Sequence, residues 1–230
     1  MPLVLIVVKW RLQVPTFFRI YTIRKVTLFI MVAEINFPAG LTLKEITVRE
    51  VFDALEKNGL EWLRGRWFKN GLDSDGEIKT IGGCVLGQAA ANLGVVGPTE
   101  SRTDSLAHYL TEIGYSESDW WHVSPEDTAY SILNKYSLED QLNQFTTSDE
   151  TMDDLTEIIP NVVFGSRGLA SVIIECNDRK DPNTGQFYIK TYKEVVDIAR
   201  QLMEPYFGEY IQVLAINREA GVQNANDFSV

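Results

Sequence analysis

Cys84 has the setting that most directly suggests chemistry in this 230-residue chain. It follows Gly82 and Gly83 and opens a helical pattern from Gly83 to Leu93. Free backbone N–H groups and the helix dipole lower a thiol's pKa at such a position. A nucleophilic cysteine also needs a histidine base and an Asn or Asp that orients the base. The histidines are His108 and His122, and Asn177 or Asp178 offers the third group. Cys84, His122 and Asp178 are therefore the catalytic candidates for a cysteine-dependent hydrolase or transferase. No peptidase motif surrounds Cys84, and a free cysteine is also among the most buried residue types. Packing is thus the plain alternative.

The remaining candidates would bind rather than catalyse. His122 follows Trp120 and Trp121 in SESDWWHVSP, so this loop could form an aromatic recognition patch. Equally, its tryptophans could fold back onto the core. Asp149, Glu150, Asp153 and Asp154 form an acidic belt with Glu139, Asp140 and Glu157. Such a belt could meet a basic partner, or simply keep the surface solvated. His108, inside an apolar stripe, reads as a partly buried structural residue. Asn177 and Asp178 also suit a helix end, because both tolerate left-handed backbone and bond to local amides.

Other chemistries fall away. Counting from Asp73, DSDGE would need Gly and Glu at positions 6 and 12 of a calcium loop, where Ile78 and Cys84 stand. GGCVLG and FGSRG match neither a phosphate loop nor a dinucleotide fingerprint. Two cysteines, Cys84 and Cys176, supply neither a disulfide scaffold nor a four-sulfur zinc site, which points to a reducing cytoplasm. The net charge of −11 argues against direct binding to nucleic acid or to an anionic membrane. No cofactor or metal is expected, and a protein partner is.

The elements that must position these residues follow from periodicity. Thr47 and Glu50 form a capping box ahead of the stripe Val48, Val51, Phe52 and Leu55, with Gly59 as a stop. Two short strands joined by LDSDGE are expected around residues 68–82, then the Cys84 helix, ended by Gly94. Residues 101–115 and 125–136 read as helices, and 137–149 as weakly patterned. An acidic helix at 150–158 stops at Pro160, and Leu169, Val172, Ile173 and Cys176 mark another helix. Residues 179–189 form a loop or small hairpin. Thr191 and Glu194 box the last helix, and residues 209–216 form a terminal strand.

Charge is uneven along the chain. Residues 1–30 hold five basic groups and no acid, so residues 31–230 carry 16 basic and 32 acidic groups. Their apolar runs are too short to span a bilayer, and no cleavage site follows them. Residues 1–30 are expected to be a non-native or loosely packed extension, with Met31 as the natural start. The alternative is an added strand pair, for which Phe17, Ile20, Tyr21, Ile23 and Val26 are suited. Residues 34–215 would then be a single globular domain and 216–230 a flexible tail. The fold class expected is mostly α (α+β): a compact helical domain with a small hairpin or a few short strands.

Two segments resemble a known family. TVREVFDALEKNGLEWLRGRW with GGCVLGQAAANLG, and SVIIECNDRK with KTYKEVVDIARQLM, are similar to an uncharacterised family of small actinobacterial and phage-borne domains. Its members pair a capped helix and a Gly-Trp turn with a Cys-x-x-Gly helix, then an aromatic-Asn-Asp segment and a Thr-started helix. Here Cys176 stands at the aromatic position, Gln88 replaces a small residue, and KDPNTGQFYIK is inserted before Thr191. The resemblance implies ancestry and setting but no reaction. The function expected is a non-enzymatic binding or accessory protein of phage or actinobacterial origin, acting in the cytoplasm through its acidic surface. The alternative is the Cys84 enzyme.

Overall fold

Two antiparallel strands, β1 (Phe18–Ile23) and β2 (Val26–Met31), pair from Phe18 opposite Met31 to Ile23 opposite Val26. The computed structural model describes residues 18–23, 26–31, 41–72, 74, 78–97, 135–160 and 164–216. It divides into two units, Met1–Asn36 and Phe37–Val230. The strand pair lies in the first unit, where the basic segment was read as either a loose extension or added strands.

The second unit begins with β3 (Leu41–Thr47) and α1 (Val48–Glu56). Thr47 accepts the Glu50 N–H and Glu50 returns a bond to the Thr47 backbone, so the expected capping box starts α1. Val48, Val51, Phe52, Ala54 and Leu55 face the core. β4 (Glu61–Trp62), β5 (Lys69–Leu72) and β6 (Ile78–Gly83) form a three-stranded sheet in the order β4-β6-β5. The β5–β6 pair is the hairpin expected around LDSDGE, and β4 adds a short parallel edge. α2 (Val85–Leu93) follows and ends at Gly94, whose φ of 65° is the left-handed cap that glycine adopts without strain.

α3 (Leu138–Leu142), α4 (Asp149–Ile158), α5 (Leu169–Asp178) and α6 (Tyr192–Met203) complete the helices described, each on the C-terminal side of α2. Between α5 and α6, Lys180 and Phe187 pair across a small hairpin. α6 starts with its own capping box at Thr191 and Glu194, and a 3-10 turn at Glu204–Tyr206 leads to β7 (Tyr210–Ile216). β7 pairs antiparallel with β3, from Thr47 opposite Tyr210 to Leu41 opposite Ile216. The core lies where α1, α2, α5 and α6 meet, around Phe52, Leu55, Leu86, Leu169 and Ile173.

The fold is therefore mixed α and β, and the mostly α (α+β) class expected holds only in part. β3 escaped the sequence pattern because Thr42 to Glu45 are all exposed and only Leu41 and Ile46 are buried. Nothing alternates there, and the partner strand is far away in sequence. α3 was hidden for a similar reason. Its five residues are too few to show a period, although Ser137 caps it by accepting the Asp140 N–H at 3.1 Å. The helices expected at 101–115 and 125–136 and the tail after 216 lie outside the described residues, apart from the end of the second helix near Tyr136.

Candidate functional site

Cys84 is the N-cap of α2, in extended backbone. Its Sγ accepts the Gly87 N–H at 3.4 Å, and its own N–H donates to the Arg66 carbonyl at 2.9 Å. The side chain is 1 % exposed. Burial pushes the thiol up to about 12, and the negative charge of Asp178 adds to that, against the lowering effect of the Gly87 and Leu86 amides. The dipole and amides expected at this position are present, but desolvation outweighs them. The thiol is held protonated. Cys176 is likewise buried, and burial pushes it up to about 12.

The segment beside the start of α2 runs from Trp62 to Trp67. Its inner edge follows β6 and α2: Leu63 N–H donates to the Gly83 carbonyl at 2.9 Å. The Trp67 carbonyl sits so close to α2 that a Cβ on Gly83 or Gly87 would lie 2.2 Å or 1.9 Å from its oxygen. Gly83 and Gly87 thus accommodate a loop backbone at the start of α2. Gln88 supports the same junction, donating from Nε2 to the carbonyls of Gly83 at 3.1 Å and Glu61 at 3.4 Å. Its Oε1 is buried without a hydrogen-bond partner among the described residues.

The outer edge is tied to the end of α5. Trp62 Nε1 donates to Asn177 Oδ1 at 2.7 Å, and Asn177 Nδ2 donates to the Leu63 carbonyl at 3.4 Å and to Asp178. The Gly65 N–H donates to Asp178 Oδ1 at 2.9 Å, with Gly65 at φ 66°. Arg64 donates to the carbonyls of Ile189 at 2.8 Å and Asn177 at 3.5 Å. Its guanidinium lies between two rings, 4.1 Å from the centre of Trp62 and 4.0 Å from that of Phe187.

Burial raises the Asp178 carboxyl, although the Gly65 N–H, the Asn177 amide and the nearby Arg64 all act to lower it. Asn177 is fully buried. Asn177 and Asp178 therefore clasp a loop, each with its polar atoms turned to neighbours within the chain. Sequence reading named both residues but missed Arg64 and Phe187. The available signal was Trp62-x-Arg64 in a glycine-broken turn, and the inserted KDPNTGQFYIK that carries Phe187.

His122, His108, Trp120 and Trp121 lie outside the described residues. Among the described residues, no three of His, Cys, Asp and Glu converge as a metal-ligand set. No described helix is long and apolar enough to cross a membrane.

The acidic candidates divide between two helices, Glu139 and Asp140 on α3 and the other five on α4. On α4, Asp149, Glu150, Asp153, Asp154 and Glu157 are all exposed, and Leu155 alone is fully buried. Asp149 pairs with Arg167. Glu150, Asp153, Asp154 and Glu157 form no ion pair among the described residues. Comparison with protein-family models, with curated proteins and with solved structures finds no match to this chain.

Proposed function

We propose that the chain is a non-enzymatic binding module that engages a basic protein partner through the carboxylates of α4. The observation that carries this reading is their arrangement. Glu150, Asp153, Asp154 and Glu157 project from a helix anchored chiefly by Leu155, and no described cation neutralises them. Like charges at such spacing repel one another on a helix. A complementary basic surface would relieve that repulsion and speed encounter with the partner. Asp149, already paired with Arg167, would border the surface. The Trp120–Trp121 loop is a second binding candidate on sequence grounds. The resemblance noted above would place the protein among actinobacterial or phage-borne accessory factors, working in the host cytoplasm.

Cys84 carries no competing activity in this reading. Its buried, protonated thiol caps α2, and Asp178 is occupied by the loop it clasps.

The test captures partners with the tagged full chain from a host lysate, in parallel with a variant carrying Glu150→Gln, Asp153→Asn, Asp154→Asn and Glu157→Gln. A stoichiometric basic protein is expected, bound by the parent and lost from the variant. Its binding should weaken steeply as ionic strength rises from about 0.05 to 0.3 M, where charge screening tightens. Binding that ignores both salt and the four substitutions would remove the proposal.

A further inference from the structure

The tetrapeptide Lys-Asn-Gly-Leu occurs twice, at residues 57–60 and 69–72. The second copy is β5, where Asn70 Oδ1 accepts the Thr80 hydroxyl at 3.3 Å and Gly71 stands opposite Lys79. The first copy ends α1, and Asn58 is the one non-glycine residue with positive φ, 28°, among the described residues. Asn tolerates this left-handed position just after a helix. In the usual closure of such a helix end, the Gly59 N–H would donate back to the Ala54 carbonyl. Here that carbonyl accepts Asn92 Nδ2 from α2 instead, at 3.0 Å. Asn58 and Gly59 are both exposed, and no atom lies within 4 Å of a Cβ placed on Gly59. Neither the Asn58 side-chain amide nor the Gly59 N–H has a hydrogen-bond partner among the described residues.

Ring closure between an asparagine side chain and the next backbone nitrogen needs both groups unbonded and free to meet, which a following glycine permits best. We propose that Asn58 is a self-modification site, where the chain converts its own asparagine to aspartate and isoaspartate. The Gly59 nitrogen gives up its proton to solvent and attacks Asn58 Cγ. The N–Cγ bond forms, the Cγ–Nδ2 bond breaks, and ammonia leaves with a proton taken from water. A water molecule then opens either carbonyl of the five-membered imide, giving aspartate or isoaspartate. The new carboxylate enters a cleft that Asn58 shares with Lys193 and Arg200, which pair with Asp197 and Glu56. Each conversion adds one negative charge where α1 meets α6. Asn70 is spared, because its side chain is bonded and Gly71 is held in the strand against Ile81.

The experiment incubates the full chain at neutral and mildly alkaline pH and follows both copies of the tetrapeptide by peptide mass spectrometry. Enzymatic methylation of isoaspartate reads the second product, and a synthetic peptide spanning residues 56–61 is the unfolded reference. Asn58 is expected to convert at nearly the peptide's rate. It should run about tenfold or more ahead of Asn70, which must first lose its Thr80 bond and its strand pairing. The rate at Asn58 should rise with hydroxide concentration, as attack by a deprotonated amide requires. Gly59→Ala, whose methyl meets no atom within 4 Å, should fold normally and slow Asn58 about tenfold, because a Cβ restricts the approach of the attacking nitrogen. Equal rates at Asn58 and Asn70 in the parent protein would overturn the proposal, and so would a Gly59→Ala variant that converts as fast as the parent.

Discussion

α2 and α4 are nearly equal in length, nine and ten residues, yet they stand at opposite extremes of burial. Val85 through Ala90 are all buried in α2, including Gln88, whereas α4 buries Leu155 alone. α2 is held on several sides, by α1, by α5 and by the segment Trp62–Trp67, so its residue choices are dictated by contact. α4 is held along one line, and the rest of its surface is free to carry charge. The contrast separates two kinds of constraint. Substitutions around α2 should register in folding, and substitutions on α4 should register in association.

The largest expected effect breaks the α2 side of the comparison. Gly87→Ala would put a methyl group 1.9 Å from the Trp67 carbonyl oxygen, where backbone must move. Overpacking of this kind costs about 3 kcal/mol, more than the roughly 1 kcal/mol that Ala gains over Gly in a helix. Urea denaturation should show the net loss. Gly165→Ala is the control, since no atom lies within 4 Å of its added Cβ. Equal stability of the two variants would show that the Trp67 carbonyl does not press on α2.

Next comes Asn177→Ala, which strands the Trp62 indole N–H and the Leu63 carbonyl. A loss of about 2 kcal/mol is expected from the partly buried groups left unpaired. Trp62→Phe removes the indole donor from the other side. A double-mutant cycle should therefore show coupling of about 1 kcal/mol, whereas strict additivity would mean that the clasp is geometric only.

The capping boxes offer a gentler perturbation with a pH signature. Thr191→Ala should lower stability by about 1 kcal/mol, as N-cap removal usually does. The Lys190 and Thr191 amides hold the Glu194 carboxyl below the ordinary range. Its stabilising contribution is thus present above the unfolded-state value and fades as pH falls through the lower folded value. Asp178 should behave oppositely. Burial raises its carboxyl, so its contribution favours the fold below the unfolded value and is lost as pH rises through the raised one. Comparing Asp178→Asn and Glu194→Gln with the parent between pH 3.5 and 7 should give differences of opposite slope. Matching slopes would refute the assignment of Asp178 to a desolvated clasp.

These positions also show what sequence alone could reveal. Thr47 with Glu50, Thr191 with Glu194, and the stop at Gly94 are local devices spanning three or four residues, so type and spacing sufficed. The clasp joins residues more than a hundred positions apart, such as Trp62 with Asn177. Nothing in either local pattern announces the other. Cys84 shows the same limit more sharply. Its helix-start position was legible and suggested an acidic thiol, but desolvation by burial in the core reverses the sign. β3 hid because its partner β7, not its own alternation, makes it a strand.

The smallest stability effect is expected where the largest binding effect is. Replacing Glu150, Asp153, Asp154 and Glu157 by their amides removes four exposed charges that have no described cation partner. Loss of mutual repulsion should offset the loss of the favourable Glu150 interaction with the helix start, leaving stability within about 0.5 kcal/mol of the parent. Thermal and urea unfolding read this directly. A drop of about 2 kcal/mol would mean that these carboxylates hold the fold, and α4 would then belong with α2 on the structural side. An unchanged midpoint together with lost capture of a basic partner would sharpen the division. The same four side chains would be dispensable for folding and required for association, as expected of a helix whose charged face is shaped by something outside the chain.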